Sequence, residues 1–79
     1  MLPDAVAAAE MLAALGAPVR LSILRVLVRA GKPGLPVGAL QTRLAMPAST
    51  LSHHLRALIQ AGVIVQEREG RSLICRAQY

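Results

Sequence analysis

VGALQTRLAMPASTLSHHLRALIQAG, residues 37–62, holds two apolar-periodic segments separated by three residues, Ala45-Met46-Pro47. The spacing predicts a short helix from about Val37 to Leu44, with Leu40 and Leu44 inward. Pro47 suits the opening of a second helix that runs to about Ala61, where Gly62 fits a left-handed C-terminal cap. Along that second helix Leu51, Leu55 and Leu58 follow i, i+4, i+7 and define a buried stripe. At about 100° per residue, Ser49, His53, Arg56 and Gln60 lie opposite the stripe, with Ser52 on its flank. Two helices joined by a tight turn, the second with a polar outer face, make a helix-turn-helix over about residues 37–61.

The hydrophobic period changes after Gly62. VIVQEREGRSLICRA, residues 63–77, reads as two strands about a polar tip at Glu69-Gly70-Arg71, a β-hairpin. Its alternation Leu73, Cys75, Ala77 points to the core. Upstream, KPGLP (residues 32–36) is a loop rich in turn formers. Before it, VRLSILRVLVRA predicts a helix with Pro18 in its first turn and Gly31 past its end. Ser22, Arg25 and Arg29 share its solvent stripe, while Ile23, Leu24, Leu27 and Val28 occupy a broad buried arc. Arg20 falls inside that arc, so its head is expected to reach a neighbouring helix end or carboxylate. Asp4 can cap an earlier helix through AVAAAEMLAAL, which Gly16 closes. The expected fold is mainly α with a β-hairpin: one winged helix-turn-helix domain over residues 1–79, four helices and then a two-stranded wing at about 63–77.

Nine Lys and Arg against four Asp and Glu give a net charge of +5 over 79 residues. That balance favours a polyanionic partner. Tyr79 is the only aromatic residue, so the stacking platforms of single-strand and RNA binders are missing and duplex DNA gains weight. Although 54% of residues are hydrophobic, no apolar run reaches the roughly 18 residues of a membrane span. The start, MLPDAVAAAE, lacks the basic n-region of a signal peptide. A single cysteine, Cys75, excludes an internal disulfide and a CxxC metal site, and fits a reducing, cytoplasmic setting.

A helix-turn-helix followed by a β-wing presents its second helix to the major groove. Small hydroxyls at that helix's start, Ser49, Thr50 and Ser52, can approach phosphates, aided by the helix dipole. His53 and Gln60 can pair with base edges, and Arg56 can reach guanine or a phosphate. The plain alternative for His53 is a solvated surface histidine. His54 lies about 100° further round, beside the leucine stripe, where a packed, hydrogen-bonded role fits best and a phosphate contact is the alternative. That divergence also makes the adjacent pair poor at chelation, since helical two-histidine metal sites use i, i+4. Arg68 and Arg71 flank the wing tip, where a minor groove would attract them; the alternative is a solvated turn with weak Glu–Arg pairs. No nucleophile, base and orienting group can be assembled, because Asp4, Glu10, Glu67 and Glu69 all lie outside the histidine helix. No enzyme is expected, nor any cofactor.

Three stretches, LGAPVRLSILRVL, STLSHHLRALIQAGVI and REGRSLICR, in this order and spacing, resemble the ArsR/SmtB-type winged-helix repressors of bacteria. They cover about half of the chain. The resemblance implies a cytoplasmic, sequence-specific, double-stranded DNA-binding repressor acting as a homodimer on a palindromic operator. The rival reading is a protein-interaction winged helix with no operator. Many members sense metals through cysteines at the start of the third helix, but Pro36-Val37-Gly38-Ala39 offers no ligand, so no metal is expected. The resemblance also implies a C-terminal helix beyond the wing; the sequence ends at Tyr79, and the expectation is a winged helix without it. Leu2, Val6, Met11, Leu12 and Leu15 on the first helix are then the expected dimer surface.

Overall fold

In the computed structural model, which describes residues 18–78, the chain runs α1 (Pro18–Ala30), β1 (Leu35–Pro36), α2 (Val37–Leu44), α3 (Ala48–Gln60), β2 (Ile64–Glu69) and β3 (Ser72–Ala77). The predicted first helix, with its expected dimer surface, lies outside the described residues, so α1 is the second predicted helix.

Pro18 opens α1, where its missing N–H costs nothing, and Gly31 closes it at φ 67°, donating to the carbonyls of Leu27 and Val28. Ile23 and Leu27 are fully buried, as their i, i+4 spacing predicts. The arc read from the sequence is too wide. Leu24 is half-buried and packs on the core cluster, whereas Val28 is 43% exposed, because among the described elements α1 packs on α3 and β3 along the side of Ile23 and Leu27. Leu24 and Val28 share an outward strip with Arg25 and Arg29.

Helix α2 keeps its predicted bounds, and α3 starts one residue after Pro47. Both end in the same device. At Gly62 (φ 78°) the Val63 N–H returns to Leu58 O at 3.1 Å, so the last turn of α3 is satisfied and Val63 is packed beneath it. At the end of α2 the Met46 N–H returns to Gln41 O at 3.1 Å, but the left-handed residue is Ala45, at φ 50° and ψ 50°. An alanine there carries the steric cost of its Cβ against the following carbonyl.

The sheet corrects the sequence reading. Leu35 and Pro36, expected in a loop, pair antiparallel with β3 in the register Leu35↔Cys75 and Pro36↔Ile74. The two-stranded wing is therefore a three-stranded sheet of order β1-β3-β2. Two residues are too few to show a strand period, and Pro36 is tolerated because β1 is an edge. Gly34 admits this pairing. It sits at φ 67°, and a Cβ on it would stand 2.5 Å from the Cys75 carbonyl oxygen. The β2–β3 ladder runs from Ile64↔Ala77 to Glu69↔Ser72, which narrows the tip to Gly70 and Arg71, with Gly70 at φ 61°.

Ile23, Leu27, Leu40, Leu51, Leu55, Leu58, Val63, Ile64 and Cys75 form one core cluster. Cys75 is fully buried, while Leu73 and Ala77 are half-buried. Ile74, on the opposite face, is also buried, because β3 is the central strand and the chain at Gly34 lies against that face. Among the described residues, no helix is long and apolar enough to cross a membrane.

Candidate nucleic-acid interface

Leu51, Leu55 and Leu58 anchor α3 in the core and turn its other side outward. Ser49, Thr50, Ser52, His53, Arg56 and Gln60 are all exposed on it. Its N-cap is Pro47, which makes no side-chain capping bond, and its first turn holds no acidic residue. Among the described residues, then, neither a Pro47 side-chain bond nor a first-turn carboxylate occupies the positive end of the α3 dipole, beside the hydroxyls of Ser49 and Thr50.

The paired histidines differ in surroundings. Their rings meet edge to face, with centroids 5.6 Å apart. His53 is exposed, whereas His54 is half-buried and accepts a hydrogen bond at Nδ1 from Arg20 Nε, 3.1 Å away. The partner expected for Arg20 was a helix end or a carboxylate; it is this imidazole. An arginine only donates, so His54 Nδ1 must be unprotonated for the bond to exist. Desolvation by burial, then the Arg20 charge, then His53 hold the His54 pKa below its ordinary value. The pair joins α1 to α3 side chain to side chain.

On the wing, strand alternation separates the charges by face. Arg68 shares a face with Gln66 and Leu73, the side turned toward α3. Glu67, Glu69 and Arg76 share the other face. There Arg76 donates from Nη1 to Glu67 Oε1 at 3.1 Å, from Nη2 to Glu69 Oε2, and from Nε to Lys32 O at 2.6 Å. The Glu–Arg pairing weighed for the tip therefore runs through Arg76 and not through Arg68 or Arg71. Those two are exposed and make no ion pair among the described residues.

A cleft of about 300 Å³ lies between α3 and the wing, where Ser52, Arg56 and Gln60 face Gln66 and Leu73. Three residues predicted from the helix thus come together with a wing residue that the sequence reading left out. Gln66 also donates to Cys75 Sγ at 3.4 Å. Burial pushes the Cys75 thiol up, against a smaller downward pull from that bond, the state of an inert structural cysteine. Alternation along β2 was the signal that could have placed Gln66 beside Arg68. For Arg76 no local signal existed, since its partners depend on the register.

Residues 15–67 match a protein family described as a helix-turn-helix domain. The chain is 40% identical over 63 residues to an uncharacterized HTH-type transcriptional regulator of Methanocaldococcus jannaschii, covering 80% of this chain and 68% of that protein. It is 40% identical over 70 residues to the HTH-type transcriptional repressor SmtB of Mycobacterium tuberculosis, covering 89% of this chain but only half of the repressor. Among solved structures it is similar to the homodimeric winged helix-turn-helix DNA-binding domain Mb0332 of Mycobacterium bovis, with a TM-score of 0.81 and 31% identity, covering 90% of this chain and 63% of that one.

Proposed function

Because the chain belongs to the ArsR/SmtB-type family of winged-helix transcriptional regulators, we propose that it is a cytoplasmic repressor binding a palindromic operator as a two-fold dimer. The observation that carries this reading is the outer side of α3, where Ser49, Thr50, Ser52, His53, Arg56 and Gln60 stand exposed opposite three buried leucines. A groove reader needs such a side, dense in hydrogen-bonding groups, and among the described residues Ile59 is the one large aliphatic exposed on α3; a protein-docking face would carry more apolar area. His53 and Gln60 read base edges. Arg56 takes guanine or a phosphate, while Ser49, Thr50 and Ser52 with the helix end hold the backbone. Arg68 and Arg71 reach the phosphates that border the neighbouring minor groove. The dimer follows the homodimeric relative from M. bovis and would place two recognition helices about one helical turn apart.

Selection from a random duplex library tests the reading. Enrichment of a two-fold symmetric sequence with half-sites about 10 bp apart is expected. Repeating the selection with metals, thiol oxidants and small metabolites would identify a releasing ligand. Failure to enrich any duplex would favour the protein-interaction reading instead. Sedimentation as a monomer at micromolar concentration would remove the dimer.

A further inference from the structure

Charges on the wing are arranged by a residue that touches neither face of the cleft. Glu67, Arg68, Glu69 and Arg71 cancel one another, so the tip by itself offers a polyanion no net attraction. At about 3.3 Å per residue, both carboxylates stand within a Debye length of phosphates held by Arg68 or Arg71. Strand alternation puts both glutamates on the face away from α3, but even when paired they are 63% and 54% exposed, with flexible side chains that can reach past the wing edge. They are not free. One guanidinium, itself 22% exposed, takes both carboxylates and ties them to the Lys32 carbonyl in the turn after α1. Solvent-exposed pairs of this kind add little to stability, so the geometry calls for another account.

We propose that Arg76 is a positioning residue for DNA binding. It holds Glu67 and Glu69 on the wing face turned away from α3, so that Arg68 and Arg71 meet the phosphates without competing carboxylates. The inference rests on the DNA-binding reading above. It requires all three donor sites of the guanidinium in one plane, a fork that a lysine ammonium does not reproduce.

The test is duplex affinity, read by fluorescence anisotropy on a random-sequence 30-bp DNA pool at low salt. The proteins compared are wild type, Arg76→Lys, Arg76→Gln, Glu67→Gln/Glu69→Gln and the Arg76→Gln/Glu67→Gln/Glu69→Gln triple variant. Circular dichroism melts confirm that each is folded at the assay temperature. Arg76→Lys, which keeps the charge, should weaken binding several-fold. Arg76→Gln should weaken it about tenfold in the wild-type background, but no more than about twofold when both glutamates are already glutamine, a coupling of about 1 kcal/mol for a fivefold difference. A loss of the same size in both backgrounds would mean that Arg76 contributes only net charge, and overturns the proposal. So would Arg76→Lys binding like wild type. If Arg76→Gln does not fold, the Arg76→Lys result decides. If wild type binds no duplex at all, the DNA-binding reading itself fails and this inference falls with it; binding with an additive cycle removes the inference alone.

Discussion

Arg20 Nε and His54 Nδ1 meet at 3.1 Å across 34 residues of sequence, linking α1 to the helix proposed to enter the major groove. Protonating the imidazole replaces the acceptor with a donor and sets two cations side by side. The folded-state pKa of His54 is depressed, chiefly by desolvation and then by Arg20. A depressed histidine binds its proton less well when folded, so its contribution is whole above the unfolded value of about 6.5 and is lost as pH falls through the lower folded value. Urea titrations between pH 7.5 and 5 should show stability declining on acidification. In His54→Gln the decline should be shallower; identical pH profiles for the two proteins would refute the linkage.

His53 is exposed while its neighbour is occupied, so of the two histidines His53 is the one proposed to read bases. Replacing His53 by Ala should relax preference at one position in each half-site, at about 1–3 kcal/mol for the preferred base. Competition assays with operator variants would measure it. Equal weakening on operator and random duplex would leave His53 with no reading role.

Arg68 and Arg71 carry no ion pair among the described residues, so their charge is available to phosphates. With about four phosphates neutralised per protomer, log K should fall against log salt with a slope of roughly −7 for the dimer. Arg68→Ala and Arg71→Ala should each weaken binding evenly across sequences, and the slope should flatten by about 1 for every phosphate no longer neutralised. A variant that binds more weakly at an unchanged slope would argue against a phosphate partner for that arginine.

Ala45 occupies a left-handed cap that glycine would fill without strain. Ala45→Gly should therefore raise stability by about 0.5–1 kcal/mol, the relief of Cβ strain exceeding the entropy glycine adds to the unfolded chain. Chemical denaturation midpoints suffice to check it. A lower midpoint would show that packing of the Ala45 methyl outweighs its strain.

Gly34 is the opposite case. An added methyl meets the Cys75 carbonyl at 2.5 Å and Arg76 Cγ at 2.7 Å in a backbone conformation at φ 67°. Gly34→Ala should cost about 2 kcal/mol or more by parting β1 from β3. Amide exchange along β3 would report the loss; protection equal to wild type would be incompatible with the packing described.

The helix-turn-helix was legible because its signals are local. Three leucines at helical spacing, Pro47 and Gly62 fix α3 to within a residue, and the polar side follows from the same count. What escaped depends on pairing across the chain. Leu35–Pro36 has no period of its own, and only the neighbouring β3 makes it a strand. Arg76 reads as an ordinary polar position until the register sets Val65 opposite it and both glutamates on its face. Val28 sits in an apolar run whose width on the helix wheel exceeds the surface its neighbours cover.

Pro36, the last residue of β1, is followed at once by Val37, the first of α2, while β1 is bonded to the same strand that forms the wing. The start of the helix-turn-helix and the base of the wing are thus one continuous piece of backbone, with no hinge residue between them. On the DNA-binding reading proposed above, this continuity predicts a reading head of nearly fixed span, to which duplexes of differing groove width would bend. Among sites with identical contacted bases, those with the more pliable intervening steps should bind best.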